Sequence, residues 1–393
     1  NLSLILKKLK KFNINIISSG GTYNKIRKLG FKCSEISEFT GSPEILDGRV
    51  KTLHPKIHSG ILNLRNSKKH INQMKKFNYK NIDLVIVNFY PFEETLKKNK
   101  NHSKIIENID IGGPSLVRAA AKNYHYVTVI TSINDYEKFN NELNKFKGST
   151  SLDFRKKMSE KAFIETGYYD SLISNYLGKN TNNQFPEKKL ISGIKKNDLR
   201  YGENPHQAAA IYSMDNSKNE ISLISGKNLS FNNYNDLFAA LSLSKSFPKN
   251  KGTVIVKHSN PCGVSINKNK LKSFKEAIEA DPISAFGGVI SCNYKVNKYV
   301  ALEISKLFIE IIIANGFDNN ALKILKKKKN LRIIDSTKID YENTQSLTSF
   351  GNKILLQSLD LKKFSKKNFI TVSKKKPTKK VMNNLIFAFN ICR

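Results

Sequence analysis

Two stretches of the sequence place a lysine among groups able to move a proton while an oxygen gains charge. Lys257-His258-Ser259-Asn260-Pro261-Cys262-Gly263 follows an apolar β-branched run, so a Lys-His pair leaves the end of a strand. That pair suits removal of a proton from an amine as an oxyanion forms, whereas a lone buried His would read as a satisfied core residue. Arg49-Val50-Lys51-Thr52-Leu53-His54-Pro55-Lys56-Ile57-His58-Ser59-Gly60 carries more functional groups than a connecting loop requires. Lys51 there suits a fixed cation or proton donor near a developing oxyanion; the alternative is that these groups only hydrogen-bond a loop. His54 and His58 have the i,i+4 spacing of a zinc helix, but Pro55 follows at once and no Glu stands beside His54, which argues against a metal.

Five further stretches could carry ligands. Ser19-Gly20-Gly21-Thr22 offers backbone amides, hydroxyls and a helix start to a phosphate, or is an ordinary tight turn. It matches neither the dinucleotide fingerprint nor the nucleoside-triphosphate loop. Asn88-Phe89-Tyr90-Pro91-Phe92 ends a buried strand, where open α/β sheets put their ligand-binding groups. Asp110 and Lys122 bracket a Gly-Gly-Pro helix start and could form an acid/base pair or a plain salt bridge. Arg200-Tyr201-Gly202-Glu203-Asn204-Pro205-His206-Gln207 packs polar and turn-forming residues around one aromatic, and Asp281-Pro282-Ile283-Ser284-Ala285-Phe286-Gly287-Gly288 has glycines that let a ligand approach the backbone.

These stretches need elements to position them. Residues 13–18, 82–88 and 126–131 read as strands, alternating with helical patterns as in an α/β domain with a mainly parallel sheet. A helix is expected from the Gly-Gly turn to about Lys28, and another from Pro114 through the Ala-rich run. The polar stretch 178–189 reads as a linker between two domains, 1–180 and 190–393. In the second, 253–257 and 288–292 read as strands, and 236–245, 298–313 and 384–393 as helices. The last keeps its apolar face to the end of the chain, which starts at Asn1 without a Met, so a piece of a longer protein is expected.

Composition narrows the classes. With 393 residues, 39% hydrophobic and 25% charged, the chain can bury two cores, and whole-chain disorder is excluded. The longest apolar stretch, 307–314, is interrupted by Glu310 and falls short of the roughly 20 residues a membrane span needs. Cys33, Cys262, Cys292 and Cys392 form no C-x-x-C pair, which fits free thiols in a reducing cytoplasm. The net charge of +35 invites a nucleic-acid reading, yet Arg supplies only 8 of the 67 basic residues and the lysines spread over the whole length. Phosphate-binding surfaces use clustered Arg and interleaved aromatics, so a solvated lysine-rich surface is the expectation and specific nucleic-acid binding is not.

Taken in order, Ser-Gly-Gly-Thr, Arg-Val-Lys-Thr-Leu-His-Pro, Asn-Phe-Tyr-Pro-Phe, Asp-Ile-Gly-Gly-Pro with Arg-Ala-Ala-Ala-Lys, Arg-Tyr-Gly-Glu-Asn-Pro-His-Gln, Lys-His-Ser-Asn-Pro-Cys-Gly and Asp-Pro-Ile-Ser-Ala-Phe-Gly-Gly form one set. The set closely resembles the bifunctional purine-biosynthesis family that joins phosphoribosylaminoimidazolecarboxamide (AICAR) formyltransferase to IMP cyclohydrolase, over nearly the whole chain. The resemblance implies a methylglyoxal-synthase-like α/β cyclohydrolase domain, then a transformylase domain of deaminase-like α/β units, incomplete at its C-terminal end. It implies formyl transfer from 10-formyltetrahydrofolate to AICAR and closure of formyl-AICAR to IMP, in a cytoplasmic homodimer. For ring closure it assigns Lys51, Tyr90, Asp110 and Lys122, with Ser19, Gly20, Gly21 and Thr22 as phosphate loop and Arg49 and Thr52 as substrate contacts. For formyl transfer it assigns His258 as base and Lys257 as its partner, with Arg200, Tyr201, His206, Asn232, Phe286 and Gly287 on the substrate. Deaminase relatives bind zinc through P-C-x-x-C; Pro261-Cys262 is followed by Gly263, Val264 and Ser265, so no metal is expected. Family members also begin earlier, with a Ser-Asp-Lys element, and continue beyond Arg393 with Ser-Asn and Gly-Ala-Gly-Gln stretches that have no counterpart here. Two rivals remain: a basic, non-catalytic nucleic-acid-binding protein, and a stand-alone methylglyoxal synthase, which leaves the His258 stretch without a use.

Overall fold

The computed structural model describes residues 2–178, 183–214, 221–339, 345–360 and 362–392. It divides into two compact units, Asn1–Gly193 and Ile194–Arg393. Part of the stretch read as a linker, residues 179–182, lies outside the described residues. Among the described residues no helix is long and apolar enough to cross a membrane.

The first unit is α/β with parallel strand pairs. Strands β1 (Ile17–Ser18) and β2 (Ser34–Glu35) form one pair, and β3 (Leu84–Ile86) and β4 (Thr128–Ile130) another. β1, β3 and β4 lie inside expected runs but are shorter, whereas β2 falls in none: Asn13 has φ 53°, outside the extended region, and regular pairing starts only at Ile17. Helices cover the strands and supply much of the core. Ile5, Leu6 and Leu9 of the helix Leu2–Lys11, Val117 and Ala120 of Gly112–Lys122, and Met158 and Ala162 of Leu152–Gly178 pack with Val85, Val129 and Ile130. Burying such side chains contributes roughly 1.5–3 kcal/mol each for the larger ones, which fixes the helix ends where the site forms.

The second unit is organised around a six-stranded sheet. The strands are β5 (Ile194–Leu199), β6 (Ala209–Ser213), β7 (Ser222–Ser225), β8 (Gly252–Lys257), β9 (Asn260–Ile266), β10 (Val289–Cys292), β11 (Ile311–Ala314), β12 (Arg332–Asp335), β13 (Gln345–Phe350) and β14 (Lys353–Ser358). The main sheet runs β7-β12-β11-β10-β8-β9, parallel across β10, β11 and β12 and antiparallel at both flanks. The other four strands form two separate hairpins, β5-β6 and β13-β14.

Alternation along the central strands separates two cores. Val254, Val256, Val289, Ile311, Ile313 and Ile334 face Leu237, Ala240 and Leu241 of the helix Phe231–Ser246. Ile255, Ile290, Ile312 and Ile333 face Phe274, Val300, Ile304 and Leu325 from three other helices. A helix over 298–313 is therefore a misreading: the helix stops at Lys306, and the Ile run is β11, fully buried inside the sheet. Three adjacent β-branched residues lose rotamer freedom in a helix but fit a strand covered on both faces.

Candidate active sites

In the first unit two helix starts and a loop meet. Ser19 precedes the helix Gly20–Lys28 in extended conformation, its side chain making no capping bond. Gly20 follows at φ +50°, in the region that favours glycine. This helix start already draws negative charge: hydrogen bonds from Ser37, with a smaller share from the Gly20 N–H, hold the Glu35 carboxyl below its ordinary range. Lys51 Nζ lies 3.8 Å from where a Cβ on Gly20 would stand, and 3.1 Å from Glu44 Oε1. Lys51 thus puts its cation against the Gly20 loop, while Arg49 is an exposed partner of Glu107, with Nε 3.1 Å from Oε1.

The second helix start continues the group. Thr52 Oγ1 lies 2.5 Å from where a Cβ on Gly112 would sit, so no larger residue fits unless Thr52 moves. The Gly113 N–H donates to Asp110 Oδ1 at 2.8 Å, as to a helix-capping carboxylate, and the Asp110 N–H donates to the Tyr169 hydroxyl at 2.8 Å. Burial raises the Asp110 pKa against hydrogen bonds from Gly113 and the Tyr90 backbone that lower it. One cavity, about 2320 Å³, is lined by Ser19, Gly20, Gly21, Thr22, Arg49, Lys51, Thr52, Tyr90 and Asp110 together. It also runs along residues 13–18 and 81–88, which explains a volume above the roughly 300–1,000 Å³ of a small-molecule pocket.

One reading from the sequence changes here. Lys122 is the last residue of the helix Gly112–Lys122, exposed, and about 15 Å of axial rise separates it from the helix start beside Asp110. The two therefore form neither an acid/base pair nor a salt bridge with each other. His54 and His58 do not act as a pair either, because His54 precedes the helix Pro55–Leu62 and its Nδ1 accepts from the Lys56 N–H at 3.1 Å. Burial depresses the His58 pKa. Among the described residues no three His, Cys, Asp or Glu gather as metal ligands.

In the second unit the functional groups surround one turn. Lys257 pairs with Asn260 across the β8-β9 hairpin, leaving His258 and Ser259 as a two-residue loop. Both have positive φ, 52° and 61°, the pattern of a type I′ turn usually made by Asn-Gly. His258 is thereby held exposed at the hairpin tip. Lys257 Nζ donates to the Phe286 carbonyl at 2.8 Å, drawing the Phe286-Gly287 turn to the same strand end. Gly287 has φ +72° and donates its N–H to the Phe308 carbonyl at 2.8 Å, and the Phe286 ring lies 5.0 Å from that of Phe308.

The helix Phe231–Ser246, capped by Ser230, joins the remaining stretch. Asn232 Nδ2 donates to the Glu203 carbonyl at 3.3 Å, and one turn later Asp236 Oδ1 accepts from the Ser259 N–H at 2.6 Å. The 202–207 loop closes on itself through Gly202 N–H to the Gln207 carbonyl at 2.8 Å and Asn204 N–H to Gln207 Oε1 at 2.8 Å, leaving His206 exposed. Beside it the Arg200 guanidinium stacks 4.9 Å from the centre of the Tyr201 ring. Cys262 Sγ lies 3.6 Å from the Ile255 carbonyl and burial raises its pKa, the setting of a structural thiol. Residue types alone pass over Asp236, Tyr169, Glu44 and Glu107. For Asp236 a signal was present, since i,i+4 spacing puts it on one helix face with Asn232.

Two family models divide the chain between them. An MGS-like domain matches residues 1–115 and an AICARFT/IMPCHase bienzyme matches residues 120–393. A protein of Thermoanaerobacter sp. (strain X514) named "Bifunctional purine biosynthesis protein PurH" is 45% identical over 98% of this chain and 76% of its own length. Proteins of the same name from Oceanobacillus iheyensis and Leptospira biflexa are 41% and 44% identical, over 99% and 97% of this chain and 77% and 75% of theirs. A solved chain titled "Crystal structure of ForH" aligns with 46% of this chain and 93% of its own at 28% identity, with a TM-score of 0.41. The chain belongs to the AICARFT/IMPCHase bienzyme family. It is an enzyme of purine biosynthesis, AICAR formyltransferase and IMP cyclohydrolase in one polypeptide. That assignment leaves no place for a non-catalytic nucleic-acid binder or a stand-alone methylglyoxal synthase.

Proposed function

We propose that the two reactions are divided between the units, ring closure at the Lys51 group and formyl transfer at the Lys257-His258 turn. The observation that carries the first half is the convergence of Gly20, Lys51, Thr52 and Asp110 on one cavity. In ring closure the carboxamide nitrogen attacks the formyl carbon of the same molecule. The carboxamide nitrogen gives up one proton and the formamide nitrogen the other, and the former formyl oxygen takes both and leaves as water. A substrate held by its phosphate at Ser19, Gly20, Gly21 and Thr22, with Arg49 and Thr52 beside it, presents its formyl oxygen to Lys51 and Tyr90. Asp110 serves proton movement at the other side. Lys122, the last residue of the helix Gly112–Lys122, is assigned to ring closure by the family resemblance, without direct contact with Asp110.

In formyl transfer the AICAR amine attacks the formyl carbon of 10-formyltetrahydrofolate, the bond from that carbon to N10 breaks, and N10 takes up a proton. His258 accepts the amine proton and Lys257 supports the oxyanion. Arg200, Tyr201, His206, Asn232, Phe286 and Gly287 hold the substrates. The folate is a co-substrate and neither reaction calls for a metal. The proposed domains are 1–180 for cyclohydrolase and 190–393 for transformylase, a reading supported by a unit boundary at Gly193. Resemblance to the family supports a homodimer, and the four free thiols support a cytoplasmic site of action. Sedimentation checks the first, and a fully active monomer would count against it.

The test is product analysis with AICAR and 10-formyltetrahydrofolate. Wild type yields IMP, whereas Lys51→Ala accumulates formyl-AICAR. IMP formation at the wild-type rate by Lys51→Ala would overturn the assignment of ring closure.

A further inference from the structure

We propose that Asp236 is a positioning residue for formyl transfer, its carboxylate fixing the two-residue turn that aims His258. The inference rests on His258 as base and adds what holds it in place. Positive φ is uncommon for non-glycine residues, and here His258 and Ser259 adopt it in succession. The N–H at the third position of such a turn lies outside the turn's own hydrogen bond, which the fourth amide donates to the first carbonyl. Asp236 Oδ1 accepts that N–H, from Ser259, at 2.6 Å. Asn260 Nδ2 holds the other side of the turn, donating to the His258 carbonyl at 2.9 Å.

The anchor is rigid. Asp236 precedes Leu237, which is fully buried, and Ala240 and Leu241 of the same helix are buried against β8 and β10. The helix therefore sets the carboxylate against the strand that ends in Lys257. Without it, a His-Ser pair has no intrinsic preference for the turn, and the imidazole samples other directions.

Asp236→Ala is expected to lower the transformylase kcat about tenfold or more with KM for AICAR within about twofold, since misplacement of a reacting group costs rate rather than binding. Asp236→Asn keeps an acceptor oxygen and retains most of the rate. Adding Ser259→Gly to Asp236→Ala restores it, because glycine takes positive φ unaided. A merely structural aspartate would not be rescued in this way. His258→Ala is the reference: full activity there defeats the base assignment and this inference with it. Loss in His258→Ala together with wild-type kcat in Asp236→Ala, or no rescue by Ser259→Gly, defeats the inference alone. Should Asp236→Ala fail to fold, hydrogen exchange on wild type decides: a protected Ser259 amide supports the anchor and a freely exchanging one overturns it.

Discussion

In the first unit the functional groups converge from two helix starts and a loop onto a cavity, whereas in the second they surround the tip of one hairpin. The former uses missing side chains: Gly112 and Gly113 leave room that Thr52 Oγ1 and the Asp110 carboxylate occupy. The latter uses backbone conformation, with two positive-φ residues held by side chains from a neighbouring helix and strand. Their acids differ accordingly. Burial pushes Asp110 up, whereas hydrogen bonds from Ser284 hold the Asp281 carboxyl down. Crowding tunes one site and turn geometry the other, so they should break in different ways.

The largest expected effect is in the second unit. A Cβ on Gly263 would stand 2.0 Å from the Ala277 carbonyl, which belongs to the helix Lys270–Ala280. Gly263→Ala should cost about 3 kcal/mol or more, seen as a lower thermal midpoint and a lost transformylase, with ring closure retained. Unchanged melting would mean that helix and strand are less tightly opposed than described.

Crowding in the first unit should act on rate instead. A Cβ on Gly113 would meet Asp110 Oδ2 at 2.4 Å, so Gly113→Ala shifts the carboxylate. A displacement of that size can cost about 10²-fold, and ring-closure kcat is the quantity to measure. Smaller again is Tyr169→Phe, which removes the acceptor of the Asp110 N–H. An unpaired amide costs roughly 1–3 kcal/mol, so about a tenfold loss of ring closure is expected, without effect on formyl transfer.

The subtlest effect is a pH dependence of stability. Because burial raises the Asp110 pKa, the folded state binds its proton more tightly than the unfolded chain. Its contribution is then most favourable below the unfolded value of 3.8 and is lost as pH rises through the folded one. Asp110→Asn should raise the first unit's thermal midpoint at neutral pH relative to wild type, and the gain should vanish in acid. An equal shift at both pH values would show that the carboxyl is not under burial strain.

Much of this arrangement is legible in the amino-acid sequence. The Ala-rich run after Pro114 and the β-branched run before Lys257 both became the elements their residue types predict. The misreading of 298–313 arose because short apolar runs carry no period of their own; Ile311, Ile312 and Ile313 divide between two cores only once β10 and β12 flank them. Strand β5, Ile-Lys-Lys-Asn-Asp-Leu, has too few apolar residues to announce itself. The supposed Asp110-Lys122 pair failed for a simpler reason, since twelve positions spanning a helix cannot meet. Tyr169 escaped because it acts on a backbone amide, and no residue pattern marks which amide needs an acceptor; Asp236 does too, and its i,i+4 spacing to Asn232 marks only a shared helix face.

The central claim is that each unit carries one reaction, and a crossed assay of Lys51→Ala and His258→Ala tests it most directly. Each variant is given AICAR with 10-formyltetrahydrofolate, and separately formyl-AICAR, and both rates are measured. The account predicts that His258→Ala closes supplied formyl-AICAR at the wild-type rate while formylation falls by about 10²–10⁴-fold, and that Lys51→Ala shows the reverse. Loss of both activities in either variant, with the fold intact, would contradict it.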